Sequence, residues 1–355
     1  MTKLAQNVVV KGVIRAGGLL PSALCRARKM LSMPRGGLQA ASLTRIMGLI
    51  AVAAAVVLPL LVGQFYIRLG IEALLLGGLA LSTGILLGFV GLLSLGQVAY
   101  FGVGAYISAL LFLQATGSFW LVLAAVVICV SALAAVIGAI VIRTRGVYFA
   151  LISLAFSEVL HKIAFNTVAL GGSDGILGIP APRIGFAGIG QIDLRDDGQF
   201  YYFALGVIVV IYFAIRRILA TPFGSVLSAI RDNPERVPYL GYNPFWFRLL
   251  AYVAAAQVAA VSGMVFPLLR GYVSPDLLSF ETTTRSLAMA LVGGLSSVLG
   301  PLVGGGVITF MDSLVSSLTE RHLLVLGLIF VIFVMTCPDG LIGIAARRLT
   351  RRERK

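Results

Sequence analysis

The chain has 355 residues, 59% hydrophobic and only 12% charged, with a mean hydropathy of +1.00. That balance excludes an ordinary water-soluble domain and a disordered chain alike. The formal net charge of +14, in so apolar a chain, points to the charge asymmetry of a membrane protein, and no nucleic-acid partner is expected.

Residues 1–47 carry Lys3, Lys11, Arg15, Arg26, Arg28, Lys29, Arg35 and Arg45 without one acid. They lack the sustained apolar core of a secretory signal and are expected to form a basic, disordered cytoplasmic tail. Apolar runs then follow at 48–66, 72–92, 94–114, 119–142, 147–168, 199–219, 248–269, 286–302, 303–320 and 322–340. They predict an all-α polytopic membrane protein with about ten transmembrane helices, some broken or re-entrant, over residues 48–343. The runs at 94–114 and 286–302 are the candidates for incomplete crossings. Residues 344–355 close the chain as a second basic cytoplasmic tail, with six bases against Glu353.

Charge orients these spans. Arg143 and Arg145 lie between the fourth and fifth runs, and the polar connection 220–247 holds Arg231 and Arg236 beside Arg216, Arg217 and Arg248. The loop 170–198 instead holds Asp174, Asp193, Asp196 and Asp197 against Arg183 and Arg195. The basic connections fall on the cytoplasmic side, which places both termini there too.

The stretch LSLGQVAYFGVGAY, 93–106, joins two apolar runs and is too apolar for a solvated loop, yet carries several helix breakers. Interrupted helices inside a bilayer survive only where protein or a water path surrounds them. Ser94, Gly96, Gln97, Tyr100, Gly102 and Gly104 are therefore candidate lining for a translocation pathway. Gly293 and Gly294, with Gly300 and Pro301, form a second such break. Close packing between helices explains small residues of this kind equally well. Glu158, His161 and Lys162 are the densest ionisable group within an apolar run, and Glu158 and His161 with Asp312 offer the parts of a proton relay. A metal site of the Glu-x-x-His kind requires a second copy, which the only other histidine, His322, lacks. Neither a metal, a cofactor nor a catalytic constellation is expected on this chain.

The segment PFGSVLSAIRDNPERVPYLGYN, 222–243, is the one sizeable cytosolic loop expected between spans. Ser225 to Ile230 suit a short amphipathic helix, and Arg231, Asp232, Glu235 and Arg236 surround it, a composition fit for docking a cytosolic protein or for lying near anionic lipid.

The spacing from Glu235 to Gly241 resembles the coupling loop of ABC-importer permeases, although Arg236 and Val237 replace that pattern's two alanines. The longer words LSLGQVAYFGVGAY, RTRGVYFALISLAF (143–156), GGSDGI (171–176), VSGMVFPLLRGYVSP (261–275), LVGGLSSVLGPLVGG (291–305) and CPDGLIG (337–343) occur in one order. Together they resemble the LivM-type permease of the branched-chain amino-acid transporter family, over roughly residues 70–343. The resemblance implies a transmembrane permease domain moving branched-chain or related amino acids inward by alternating access. Its implied partners are a LivH-type permease subunit, two ATP-binding subunits that carry ATP and Mg, and a periplasmic solute-binding protein. The implied setting is the bacterial inner membrane. Ala229, Arg231, Asp232, Glu235 and Gly241 become the residues expected to couple with the ATPase. Independently of resemblance, the chain has no GxxxxGK[ST] loop to hold ATP. Two departures concern the solute: relatives carry histidine at the position of Gln97 and glutamate near Arg285, so urea, short amides or aromatic acids stay open as cargo. A proton- or sodium-coupled secondary transporter is the rival of another class, and it would require Glu158 and Asp312 to share a cavity.

Overall fold

Leucine, isoleucine and alanine interrupted only by glycine give the first helix its length. In the computed structural model α1 spans Gln64–Gly84 and runs on as a π-helical stretch, Ile85–Val90, which stops where Gly91 takes a φ of 77°. The structure describes residues 63–114, 118–180, 182–186 and 190–318, with Val56, Pro59 and isolated positions between 321 and 343. The tails expected at 1–47 and 344–355 lie outside the described residues, as does most of the runs at 48–66 and 322–340.

After α1 come α2 (Gln97–Leu113), α3 (Phe119–Val141), α4 (Val147–Asn166) and α5 (Asp197–Leu219). The short α6 (Pro222–Asp232) leads to α7 (Pro244–Arg270), α8 (Phe280–Gly293) and α9 (Leu299–Leu318). Among the described residues six helices are long and apolar enough to cross a bilayer: α1 with its π extension, α3, α4, α5, α7 and α9. Among the described residues there are thus six such spans against the expected count of about ten. The 17-residue α2 and the 14-residue α8 are shorter. The run expected at 286–302 is re-divided. Its helix begins six residues earlier, where Ser279 caps it by accepting from the Thr282 amide, and ends at Gly294 with φ 101°. No L side chain adopts that φ easily, so glycine sets the break inside the run. The first described span likewise starts at Gln64 instead of 72, which brings Arg68 and Glu72 into the helix.

α1 and α7 are the inner pair, with 78% and 72% of their apolar windows buried, whereas α4 buries 28%. The contact of α7 with α2 is made backbone to backbone. A Cβ on Gly104 would stand 2.4 Å from the Ala260 carbonyl oxygen, and one on Gly263 would stand 2.0 Å from that of Phe101. Glycine on both faces is what admits this approach.

Ion pairs and hydrogen bonds sort the connections into two ends. One end gathers α6, the 143–145 turn and the start of α7: Arg145 lies 3.8 Å from Glu235. The opposite end gathers the start of α1, the start of α5 and the end of α7, through Arg68–Asp197 and Arg270–Glu72. The connections there carry four short strands, which leave the all-α membrane fold as expected. β1 (Ile176–Leu177) pairs antiparallel with β4 (Tyr272–Val273), and β2 (Arg183–Phe186) pairs with β3 (Gly190–Asp193). The loop glycines hid these strands from a hydropathy reading. Gly175, at φ 74°, sits where a Cβ would meet the Val273 carbonyl oxygen at 2.0 Å, so the GGSDGI word closes the β1–β4 pair.

Candidate functional site

The amphipathic segment forms a helix longer than expected. Pro222 opens α6 at its first turn, and Val226, Leu227 and Ile230 turn one buried face toward the spans. Arg231, at the end of that face, does not reach solvent fully. Its Nη1 donates to the Gly88 carbonyl at 2.5 Å, inside the π-helical stretch of α1. Single-turn π segments occur often at functional sites because they disturb the regular backbone hydrogen bonding. A Cβ at Gly88 would fall 2.5 Å from the Leu295 carbonyl oxygen, and one at Gly91 would fall 2.8 Å from Arg231 Cγ. The end of α1 is thus held between α6 and the turn that joins α8 to α9. Ala229 is half-buried, while Asp232, Glu235 and Gly241 are exposed. Tyr239 and Leu240 are 90% and 68% exposed, an apolar pair standing on a polar connection and left uncovered by the described residues.

The break before α2 is built from polar side chains that are all buried. Leu95 N–H donates to Ser153 Oγ at 3.0 Å, Gln97 Nε2 to Ser94 Oγ at 3.4 Å, and Tyr100 OH to Tyr252 OH at 3.1 Å. Gln97 Oε1 has no hydrogen-bond partner. A Cβ at Gly96 would meet the Ser153 carbonyl oxygen at 2.7 Å, and one at Gly102 would meet Leu278 Cδ2 at 2.3 Å. This tight packing gives a test. Tyr100→Phe leaves the fully buried Tyr252 hydroxyl without its partner and should lower stability by about 1–3 kcal/mol. An unchanged melting temperature in detergent would show that the pair carries no structural weight.

The second break packs on α1. Cβ atoms at Gly293 and Gly300 would fall 1.8 Å from the carbonyl oxygens of Gly300 and Gly294 respectively, so the two sides of the turn touch through bare backbone. Gly84 closes on Pro301, where a Cβ would stand 2.4 Å from Cγ. Thr83 and Ser286, buried between α1 and α8, join their hydroxyls at 2.8 Å.

At the opposite end of the bundle lies a cavity of about 500 Å3 between α1, α7, α8 and α9. Its polar walls are ion pairs. Arg68 Nε donates to both Asp197 oxygens at 3.0 and 2.9 Å, Arg270 Nη2 to Glu72 Oε1 at 2.6 Å, and Arg285 Nη2 to Asp312 Oδ2. Pairing of this kind offsets part of the cost of placing charges close to apolar spans.

A family model described as the branched-chain amino acid transport system permease component matches residues 65–334. The chain belongs to that permease family. It is 27% identical to the high-affinity branched-chain amino acid transport permease LivM of Salmonella typhimurium (strain LT2) over 315 residues, covering 83% of this chain and 74% of that protein. To LivM of Escherichia coli K12 it is 28% identical over 291 residues, 76% and 68% of the two chains. A probable LivH permease of Methanocaldococcus jannaschii is 24% identical over 208 residues, 56% and 61%. No solved structure matches the chain significantly. The permease is a multi-pass membrane protein and a transport subunit.

Within the permease the expected residues fall into separate groups. Ser94, Gln97 and Tyr100 cluster at the first break, and Gly293 with Gly294 at the second, whose glycine contacts run to α1 and to its own hairpin. The expected relay is not assembled. Asp312 pairs with Arg285, while Glu158 lies 3.7 Å from His161, and Lys162 Nζ rests 5.8 Å from the centre of the Phe165 ring. The sequence reading singled out Arg285 as a departure but missed Arg68, Glu72 and Arg270 as cavity walls. Their signal was available: each is a charge at the edge of an apolar run, one sign apart from a partner far away in sequence. Tyr239 and Leu240 were also missed, although two large apolar side chains in a polar connection are themselves a signal.

Proposed function

We propose that this chain is a membrane-spanning subunit of an ATP-driven, binding-protein-dependent importer of branched-chain or related amino acids, working by alternating access. The family match over residues 65–334 carries the reading. The position of α6 supports it, because a cytosolic helix bonded to the end of an inner span is where an outside motor can act on the bundle. The arginine-rich end that contains the coupling loop 220–247 faces the cytoplasm by its charge, and both tails, 1–47 and 344–355, lie on that side of the bacterial inner membrane. A LivH-type permease completes the pathway, two ATP-binding subunits supply ATP and Mg chemistry, and a periplasmic solute-binding protein delivers the solute to the opposite end.

In this reading Tyr239 and Leu240 are covered by the ATP-binding partner, with Asp232 and Glu235 on the rim. The Ser94–Gln97–Tyr100 break and the Gly293–Gly294 break are the points about which spans rock, and the polar side chains of the first lie along the solute path. Glu235→Arg and Gly241→Pro are expected to uncouple ATP hydrolysis from uptake while the protein stays in the membrane. Normal uptake by both variants would remove the docking role of this loop. The function itself is tested with vesicles holding the complete transporter, internal ATP and a collapsed proton gradient. Saturable leucine accumulation that depends on the binding protein is expected. Accumulation that follows the proton gradient and ignores ATP would overturn it.

A further inference from the structure

The cavity at the end opposite α6 has more than structural ion pairs in its walls. Thr309 is 2% exposed, lines the cavity, and its hydroxyl has no hydrogen-bond partner. Arg285 Nε is buried without a partner too, although Arg285 Nη2 is bonded to Asp312. A buried hydroxyl and guanidinium N–H left unsatisfied are unfavourable unless something else comes to bond them. Glu72 and Asp312 each engage their arginine through a single oxygen among the described residues. Donors and acceptors of both charges are therefore on offer within one space. Phe65, Leu69 and Leu269 supply an apolar wall beside them. The volume of about 500 Å3 lies within the about 300–1,000 Å3 usual for small-molecule sites.

We propose that this cavity is a receiving site for an apolar α-amino acid zwitterion at the outer end of the permease, occupied before the solute enters the bundle. The proposal rests on the amino-acid reading above. The solute carboxylate is taken by the guanidinium of Arg285 and the Thr309 hydroxyl. Its ammonium group is held by the carboxylates of Glu72 and Asp312, and its side chain lies against Phe65, Leu69 and Leu269. Because the arginines and carboxylates already pair with one another, a zwitterion inserts its two charges without leaving any group unpaired. A solute of single net charge would leave one.

The test uses the complete transporter in lipid nanodiscs, without the solute-binding protein, and radiolabelled leucine at equilibrium. Thr309→Val is the diagnostic change. It keeps the side-chain shape and removes a hydroxyl that has no partner in the empty protein, so a purely structural role predicts an unchanged or higher melting temperature and no change in binding. The expected result is saturable leucine binding that Thr309→Val weakens about fivefold, with no loss of thermal stability. Arg285→Lys keeps a cation for Asp312 but lacks the Nε donor, and should also weaken binding. Leucinamide, without the carboxylate, and 4-methylpentanoate, without the ammonium, should compete at least about tenfold less well than leucine. Wild-type affinity in both variants, equal competition by either analogue, or no binding by the wild type would overturn the site. ATP-driven leucine uptake by the wild type is read in parallel in vesicles holding the complete transporter, with the solute-binding protein supplied outside. Its absence overturns the importer reading, whereas normal uptake with full binding in Thr309→Val overturns the receiving site alone.

Discussion

Arg231→Met is expected to reduce ATP-driven uptake at least about tenfold while ATP hydrolysis continues and the protein stays in the membrane. The reason is the route by which, under the proposed coupling, motion of α6 would reach the spans. Val226, Leu227 and Ile230 seat the helix, but contacts of that kind slide. The bond from Arg231 Nη1 to the Gly88 carbonyl is directional and charge-assisted, of a class worth about 1.5–3 kcal/mol. It grips α1 inside its π-helical stretch, and Gly88 in turn lies against the Leu295 carbonyl of the turn between α8 and α9. One bond thus ties α6 to an inner span and to the second break. A coupling free energy of about 1.4 kcal/mol already corresponds to tenfold. Arg217→Met removes an exposed arginine from the same end without removing that bond, and should leave uptake within about twofold. The two variants separate a mechanical link from a general loss of positive charge. Normal uptake by Arg231→Met would show that α6 acts through other contacts. Loss of the protein from the membrane would instead make Arg231 a folding residue.

Much of the architecture was legible because bilayer spans are set by length and hydropathy, and those are properties of local sequence. α3, α5 and α7 stand within a few residues of where the apolar runs place them. What local sequence could not fix are features that depend on partners far along the chain. The apolar run that hydropathy marks begins at 72 and leaves Arg68 outside it. In the fold the charges of Arg68 and Glu72 are met by Asp197 and Arg270, and the helix extends back to Gln64. The break at Gly293–Gly294 was marked by its glycines, but its exact ends were not, because the residues on either side are so apolar that one continuous run covers the turn. The π stretch at Ile85–Val90 carries no compositional mark at all, and its role is visible only once Arg231 is seen to bond inside it. At the candidate sites the sequence singled out the words LSLGQVAYFGVGAY and LVGGLSSVLGPLVGG. It could not say that Gly96, Gly102 and Gly104 mark close approaches of α4, Leu278 and α7, nor that the charged cavity forms at the other end.

The glycines between α2 and α7 carry the largest expected effect on assembly. In Gly263→Leu the new Cβ alone would fall 2.0 Å from the Phe101 carbonyl oxygen and 2.7 Å from its carbon. Both are backbone atoms, so no rotamer change relieves the clash and the helices themselves must separate. Separation also opens the reciprocal approach of Gly104 to Ala260 and draws Tyr100 away from Tyr252, since each member of that hydroxyl pair sits on one of the two helices. The loss should exceed about 3 kcal/mol, enough to deplete the protein from the membrane and to lower the melting temperature of whatever is recovered. Gly306→Leu provides the contrast, because its Cβ would meet nothing within 4 Å. There the helix gains propensity of up to about 1 kcal/mol and the protein should accumulate normally. If Gly263→Leu accumulates and melts like the wild type, the short α2 is not held against α7 in the membrane. The first break would then be free to move without disturbing the inner pair of spans.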